Sequence, residues 1–133
     1  MTEQMTVSFP GGKRVDASFK GFMVATDQAL DEGGEASAPK PFDLFLASLA
    51  TCAGIYVLNF CQNRAIPTAG MRLVQTSERS ADGTLESVAI RIEVPPDFPA
   101  KYHDALVRSA AKCAVKKAIE SPPQFAIETV VTS

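Results

Sequence analysis

The eighteen residues Leu44-Phe45-Leu46-Ala47-Ser48-Leu49-Ala50-Thr51-Cys52-Ala53-Gly54-Ile55-Tyr56-Val57-Leu58-Asn59-Phe60-Cys61 carry no charge, and their reading decides the fold. Their length approaches that of a membrane span. Yet Ser48, Thr51, Gly54 and Asn59 dilute the run, and the sequence on either side is amphipathic. A helix apolar almost all round is buried on every side. The stretch therefore reads as the central core helix of a globular domain, and no membrane partner is expected. Ala47, Ala50, Ala53 and Gly54 would let other backbones approach closely. Pro41 suits the first helical turn, and Asp43 places negative charge where the helix dipole favours it.

Upstream of this helix, Met5-Thr6-Val7-Ser8-Phe9 alternates apolar and polar residues, as a half-buried strand does. Pro10-Gly11-Gly12 supplies a turn, Val15, Ala17 and Phe19 alternate again, and Lys20-Gly21 breaks the run before Phe22-Met23-Val24-Ala25. Three short antiparallel strands account for the first 28 residues. Residues 29–40 are rich in Gly, Ala, Ser and acid and read as a long loop. Downstream, Met71 and Leu73 alternate with Arg72 and Val74, Ala81-Asp82-Gly83 marks a hairpin, and Leu85, Val88, Ile90, Ile92 and Val94 form its second arm. Pro95-Pro96 stops that arm and Asp97 can cap a new helix, with Pro99 in its first turn. Phe98, Tyr102, Leu106, Ser109 and Cys113 recur at three- and four-residue steps, which predicts one continuous helix ended by Pro122-Pro123. Phe125, Ile127 and Val131 suggest a closing strand. The order βββ-α-ββ-α-β is that of an α+β fold, in a single domain over 1–133.

Composition narrows the chemistry. Thirteen Lys and Arg against fifteen Asp and Glu give a net charge of −2, so no nucleic-acid partner is expected. His103 is the only histidine, which excludes a multi-histidine metal site within one subunit, and the absence of Trp argues against stacking platforms. His103 reads as a surface residue, and Arg108, Lys112, Lys116 and Lys117 as a solvated face. Gly11-Gly12 and Gly33-Gly34 lack the strand-loop-helix setting of a phosphate cradle. The three cysteines, Cys52, Cys61 and Cys113, show neither zinc-ligand nor disulfide-framework spacing. The N-terminus carries no secretory signature, so a reducing cytoplasm is expected.

The cysteines carry the chemical signal. On an ideal helix Cys61 points about 180° away from Cys52 and cannot be its partner. Cys113 lies on the inward stripe of the second helix, flanked in sequence by Lys112 and Lys116. Two cysteines on different buried helices exchange a disulfide if their Cα atoms come within about 7 Å. On composition and spacing alone both read first as small buried hydrophobes. A thiol buried among apolar groups with no cation beside it has a raised pKa, and that is the expectation for Cys52 on these residues alone.

Two segments resemble the OsmC/Ohr family of small thiol-dependent peroxidases: Pro41-Phe42-Asp43-Leu44-Phe45-Leu46-Ala47-Ser48-Leu49-Ala50-Thr51-Cys52, and Ser109-Ala110-Ala111-Lys112-Cys113-Ala114-Val115. The element order agrees over essentially the whole chain. The resemblance implies antiparallel sheets packed on two central helices and an intertwined homodimer with active sites at the subunit interface. It implies Cys52 as peroxidatic thiolate and Cys113 as resolving thiol, with a small hydroperoxide as substrate. No bound cofactor is implied, only an external thiol or dithiol reductant. Phe45, Leu49 and Ile55 would form an apolar wall favouring organic peroxides. The family's glutamate position holds Phe42 here, so Asp43 is the candidate carboxylate. Loop 29–40 has no arginine, which leaves Arg14, or Lys40, as candidate cation. A redox-inactive module that binds a small hydrophobic ligand at the dimer interface is the alternative.

Overall fold

Strands β1 (Thr6–Gly11), β2 (Arg14–Phe19) and β3 (Phe22–Thr26) form an antiparallel sheet in sequence order. The structure is a computed structural model describing residues 1–132; Ser133, the last residue of the expected domain, lies outside them. Val15 pairs with Thr26 and Phe19 with Phe22 across the second hairpin. Its two-residue turn, Lys20 and Gly21, has positive φ at both positions (49° and 80°), the conformation whose twist matches the flanking strands. Helix α1 follows over Pro41–Gln62. Next come the β4 (Arg72–Arg79) and β5 (Leu85–Glu93) hairpin and two short helices, α2 (His103–Ala110) and α3 (Ala114–Glu120). The architecture is α+β with antiparallel sheets, as the sequence pattern predicts. It divides into two compact units, residues 1–47 and the residues from Ser48 onward.

In the first unit the loop after β3 is built around Asp27, which is almost fully buried. Its carboxylate accepts the backbone N–H groups of Gln28 (2.7 Å), Glu35 (3.3 Å) and Ser37 (3.1 Å) and the Ser37 hydroxyl (2.5 Å). The Ser37 bonds, then that from Gln28, hold the carboxyl at a pKa of about 2. Gly34 lies so close to the Gln28 backbone that a Cβ would stand 2.1 Å from its carbonyl oxygen. The loop is therefore a wound structure with a short 3₁₀ turn at Leu30–Glu32. At its end the Asp43 carboxylate accepts the Lys40 backbone N–H (3.2 Å), and Lys40 pairs with Glu32. The first bond reaches back from the third helical residue to satisfy an orphan donor at the start of α1.

In the second unit Val57, Phe60 and Cys61 of α1 pack with Phe98 and with Leu106 of α2. Leu73 of β4 and Ile92 of β5, a cross-strand pair, lie against them. Phe60 meets Tyr102 edge-on at 5.6 Å, and Arg64 lies 3.7 Å from the Phe60 ring centroid. The same Arg64 donates to the Phe60 carbonyl (3.1 Å), one of the acceptors left open at a helix C-terminus. At the hairpin tip Asp82 accepts the Thr84 N–H (3.1 Å) and the Ser80 hydroxyl, where the Ala81-Asp82-Gly83 signal places a turn.

Three expectations are corrected. The predicted second helix is broken: Lys112 and Cys113 donate to carbonyls three residues back (Ser109, 3.1 Å; Ala110, 3.3 Å), and Cys113 then turns extended (φ −46°, ψ 124°) and starts α3 as its N-cap. No Gly or Pro forces this break; a capping contact made by the Cys113 sulfur overrides helix propensity. The closing strand does not form: among the described residues 121–132 have no ladder partner, and Phe125 and Ile127 are 84% and 98% exposed. Finally, α1 has a mean hydropathy of 1.8 and is long and apolar enough to cross a membrane, yet only 28% of its most apolar window is buried. Its buried face is Leu49, Ala53, Val57, Phe60 and Cys61; Thr51, Ile55 and Asn59 are exposed, so the helix is not buried on every side.

Gly34→Ala is expected to destabilise by about 1–3 kcal/mol, because the new methyl meets rigid backbone; an unchanged melting temperature would contradict this packing. Asp27 has a depressed pKa, so its stabilisation is complete above the unfolded carboxyl value and disappears as pH falls toward about 2. Asp27→Asn should therefore melt below the native protein at pH 6 and converge with it in thermal scans taken down to pH 2.

Candidate functional site

Leu49 and Ala53 fix one face of α1 in the interior, and Cys52, between them, is half-buried. Cys113 is buried at the bend between α2 and α3. Its S–H points at the Leu49 carbonyl oxygen of α1 (3.9 Å), and its sulfur accepts the Lys116 backbone N–H (3.4 Å). A helical carbonyl has a second lone pair beyond its ladder bond, so Leu49 can take this weak donor without disturbing α1. The contact holds Cys113 where its side chain favours the Cys52 thiolate.

The bend also turns the first amides of α3 toward Cys52. The Val115 N–H, followed by the Cys113 side chain and the Ala114 N–H, favours the Cys52 thiolate and holds its pKa below the usual thiol range against the opposing effect of burial. This overturns the expectation of a raised Cys52. A continuous helix through Cys113 would have tied those amides into its own ladder, and the break frees them to face sulfur.

Cys61 has the opposite environment. It is fully buried, its S–H lies 3.9 Å from the Met71 sulfur, and burial pushes its thiol up, with Arg64 opposing. Arg14 and Asp43 both belong to the first unit. The Arg14 side chain folds back on its own turn, its Nε donating to the Gly11 carbonyl (3.4 Å), and Asp43 is engaged with the Lys40 N–H. His103 is exposed and stacks on Phe98 at 5.8 Å, while Arg108, Lys112, Lys116 and Lys117 are exposed. Among the described residues no cluster of His, Cys, Asp or Glu is arranged to hold a metal ion. Sequence reasoning missed the Ala114 and Val115 amides, since backbone donors have no signature of their own. It also missed Asp27, for which an acid directly after a strand in a Gly/Ser-rich loop was the available cue.

A family model for OsmC-like proteins matches residues 34–128. A solved structure of a candidate osmotic stress induced and detoxification response protein from Psychrobacter arcticus is 26% identical. It superposes with a TM-score of 0.75, covering 89% of this chain and 88% of that one. An organic hydroperoxide resistance protein from Legionella pneumophila is 18% identical, with a TM-score of 0.62 over 90% and 89% of the two chains. The organic hydroperoxide resistance protein OhrB of Bacillus subtilis is also 18% identical, with a TM-score of 0.53 over 92% and 93%. No curated protein matches the sequence.

Alkylation by iodoacetamide at a series of pH values, read site by site by mass spectrometry, should give Cys52 an inflection below the ordinary thiol value of about 8.5. Cys61 should react only after unfolding. A Cys52 inflection at or above the ordinary value would contradict the role given to the Val115 and Ala114 amides.

Proposed function

This chain belongs to the OsmC-like protein family, and from that premise we propose that it is a thiol-dependent peroxidase reducing organic hydroperoxides through Cys52 and Cys113. The observation that carries the reading is the setting of Cys52: the Val115 and Ala114 N–H groups and the Cys113 side chain favour its thiolate, and Cys113 is itself anchored on α1 at the Leu49 carbonyl. The Cys52 thiolate attacks the distal peroxide oxygen, the O–O bond breaks, and the alkoxide leaves with a proton as the alcohol. Cys52 is then a sulfenic acid. The Cys113 thiol displaces its hydroxyl as water and forms the Cys52–Cys113 disulfide, and an external thiol or dithiol reduces it. The names of the Legionella and Bacillus neighbours support the oxidant class. A reducing cytoplasm suits three free cysteines. A Cys113 side chain that acts on the Cys52 thiolate favours this chemistry over a redox-inactive module that merely holds a hydrophobic ligand.

The same reading makes the protein a homodimer. Large apolar side chains stand exposed in both units. Val7 and Phe9 of β1, Phe125, Ile127 and Val131 contribute to this exposed apolar surface. Exposed apolar surface on such a scale marks an interface. Arg14 and Asp43 enter the reading as charged auxiliaries of the thiolate. Arg14→Ala and Asp43→Asn should each raise the Cys52 alkylation inflection, and a variant that leaves it unmoved drops that residue from the reading.

Adding cumene hydroperoxide should remove two thiols per chain and release one equivalent of alcohol. Cys52→Ser should abolish turnover, and Cys113→Ser should consume one equivalent and then stop in the absence of added thiol. A protein that keeps all three thiols under excess hydroperoxide refutes the peroxidase. Light scattering should give twice the 14.2 kDa chain mass; a stable monomer would refute the dimer.

A further inference from the structure

Helix α3 has seven residues and no buried side chain, and Val115 alone is half-covered. A helix this short is not stable by itself in water and depends on what holds its ends. At its start it is held through sulfur. The Lys116 N–H is capped by the Cys113 sulfur, Cys113 is anchored to α1 by its S–H on the Leu49 carbonyl, and the Val115 and Ala114 amides face the Cys52 sulfur. Beyond α3, residues 121–132 form no helix or strand.

We infer that formation of the Cys52–Cys113 disulfide uncaps α3, so that the segment from Ala114 onward is ordered in the dithiol state and loosened in the disulfide state. The sulfur pair is the one assigned above to peroxide reduction, and this inference adds a conformational output to it. Two thiols lose two electrons and two protons to the oxidant as the S–S bond forms. Cys113 then has no proton to offer Leu49, so that anchor is lost by stoichiometry. Cys52 has no negative charge to offer the Val115 and Ala114 amides. The two sulfurs must also close to about 2.05 Å, which draws the Cys113 sulfur off the Lys116 N–H. The new covalent bond keeps Cys113 itself on α1, so the release is confined to the residues after it. Lys116 and Lys117, in the freed turn, become available to a protease.

The test is hydrogen exchange of the full-length protein, resolved for residues 114–120, together with limited trypsin cleavage at Lys116 and Lys117. The dithiol form is compared with the disulfide made by diamide and, separately, by cumene hydroperoxide, each verified by the loss of two thiols. Exchange in α3 should rise about fivefold or more on disulfide formation, the factor expected for a lost N-cap, with cleavage at the two lysines. Cys113→Ser keeps a capping oxygen but cannot form the bond, and should remain protected under either oxidant. Cys113→Ala should be deprotected without any oxidant. A verified disulfide with unchanged exchange overturns the inference, as does failure of diamide to close the bond. If diamide closes it and frees α3 while cumene hydroperoxide leaves the thiols intact, the coupling stands and the peroxidase reading falls.

Discussion

The S–H of Cys113 resting on the Leu49 carbonyl is a weak contact, yet the geometry of the candidate site depends on it. It fixes where the chain leaves α2, and so which way the first amides of α3 point. Had the helix run on through residue 113, the Ala114 and Val115 amides would be occupied by carbonyls one turn back, and Cys52 would face only apolar neighbours. Burial alone would then have raised its pKa. Instead a defect in a helix provides what a cationic side chain would otherwise supply. Backbone donors have one advantage in this role: they cannot rotate away or be neutralised, so the thiolate is favoured as long as the bend persists.

The bend has a counterpart in how the fold distributes its apolar surface. The second half of α1 is committed to a core with Phe98, Leu106 and the β4–β5 hairpin, while Thr51, Ile55 and Asn59 face outward. Gly54 sits on this helix with open space where an alanine methyl would stand. A glycine inside a helix costs about 1 kcal/mol relative to alanine, and no neighbour among the described residues accounts for it. Its presence is explained if another backbone approaches there, which the proposed dimer would supply.

The sequence pattern was most informative where local rules decide. Alternation located the five strands, the charge-free run located α1, and Ala81-Asp82-Gly83 located the hairpin turn. The pattern was uninformative where distant groups decide. The stripe Tyr102, Leu106, Ser109 and Cys113 is regular enough to read as one helix, and only the Leu49 carbonyl, 64 residues away, shows why it stops. The tail 121–132 has the alternation of a strand, but a strand also needs a neighbour, and alternation carries no information about one. Asp27 and Ser37 are joined across ten residues by loop winding that composition alone does not encode. Of the candidate site, the two cysteines were legible and the amides that favour the thiolate were not.

Three thiols in one chain permit three different intramolecular bridges, and the proposed reaction uses one of them. The seclusion of Cys61 removes the other two. Sealed behind Val57, Phe60 and Leu106, and turned toward the Met71 sulfur, it can neither attack a neighbouring sulfur nor be attacked by one. The core thus acts as insulation: in the proposed reaction it would keep a spectator thiol out of circulation, so that repeated oxidation and reduction would not scramble the chain into dead-end isomers.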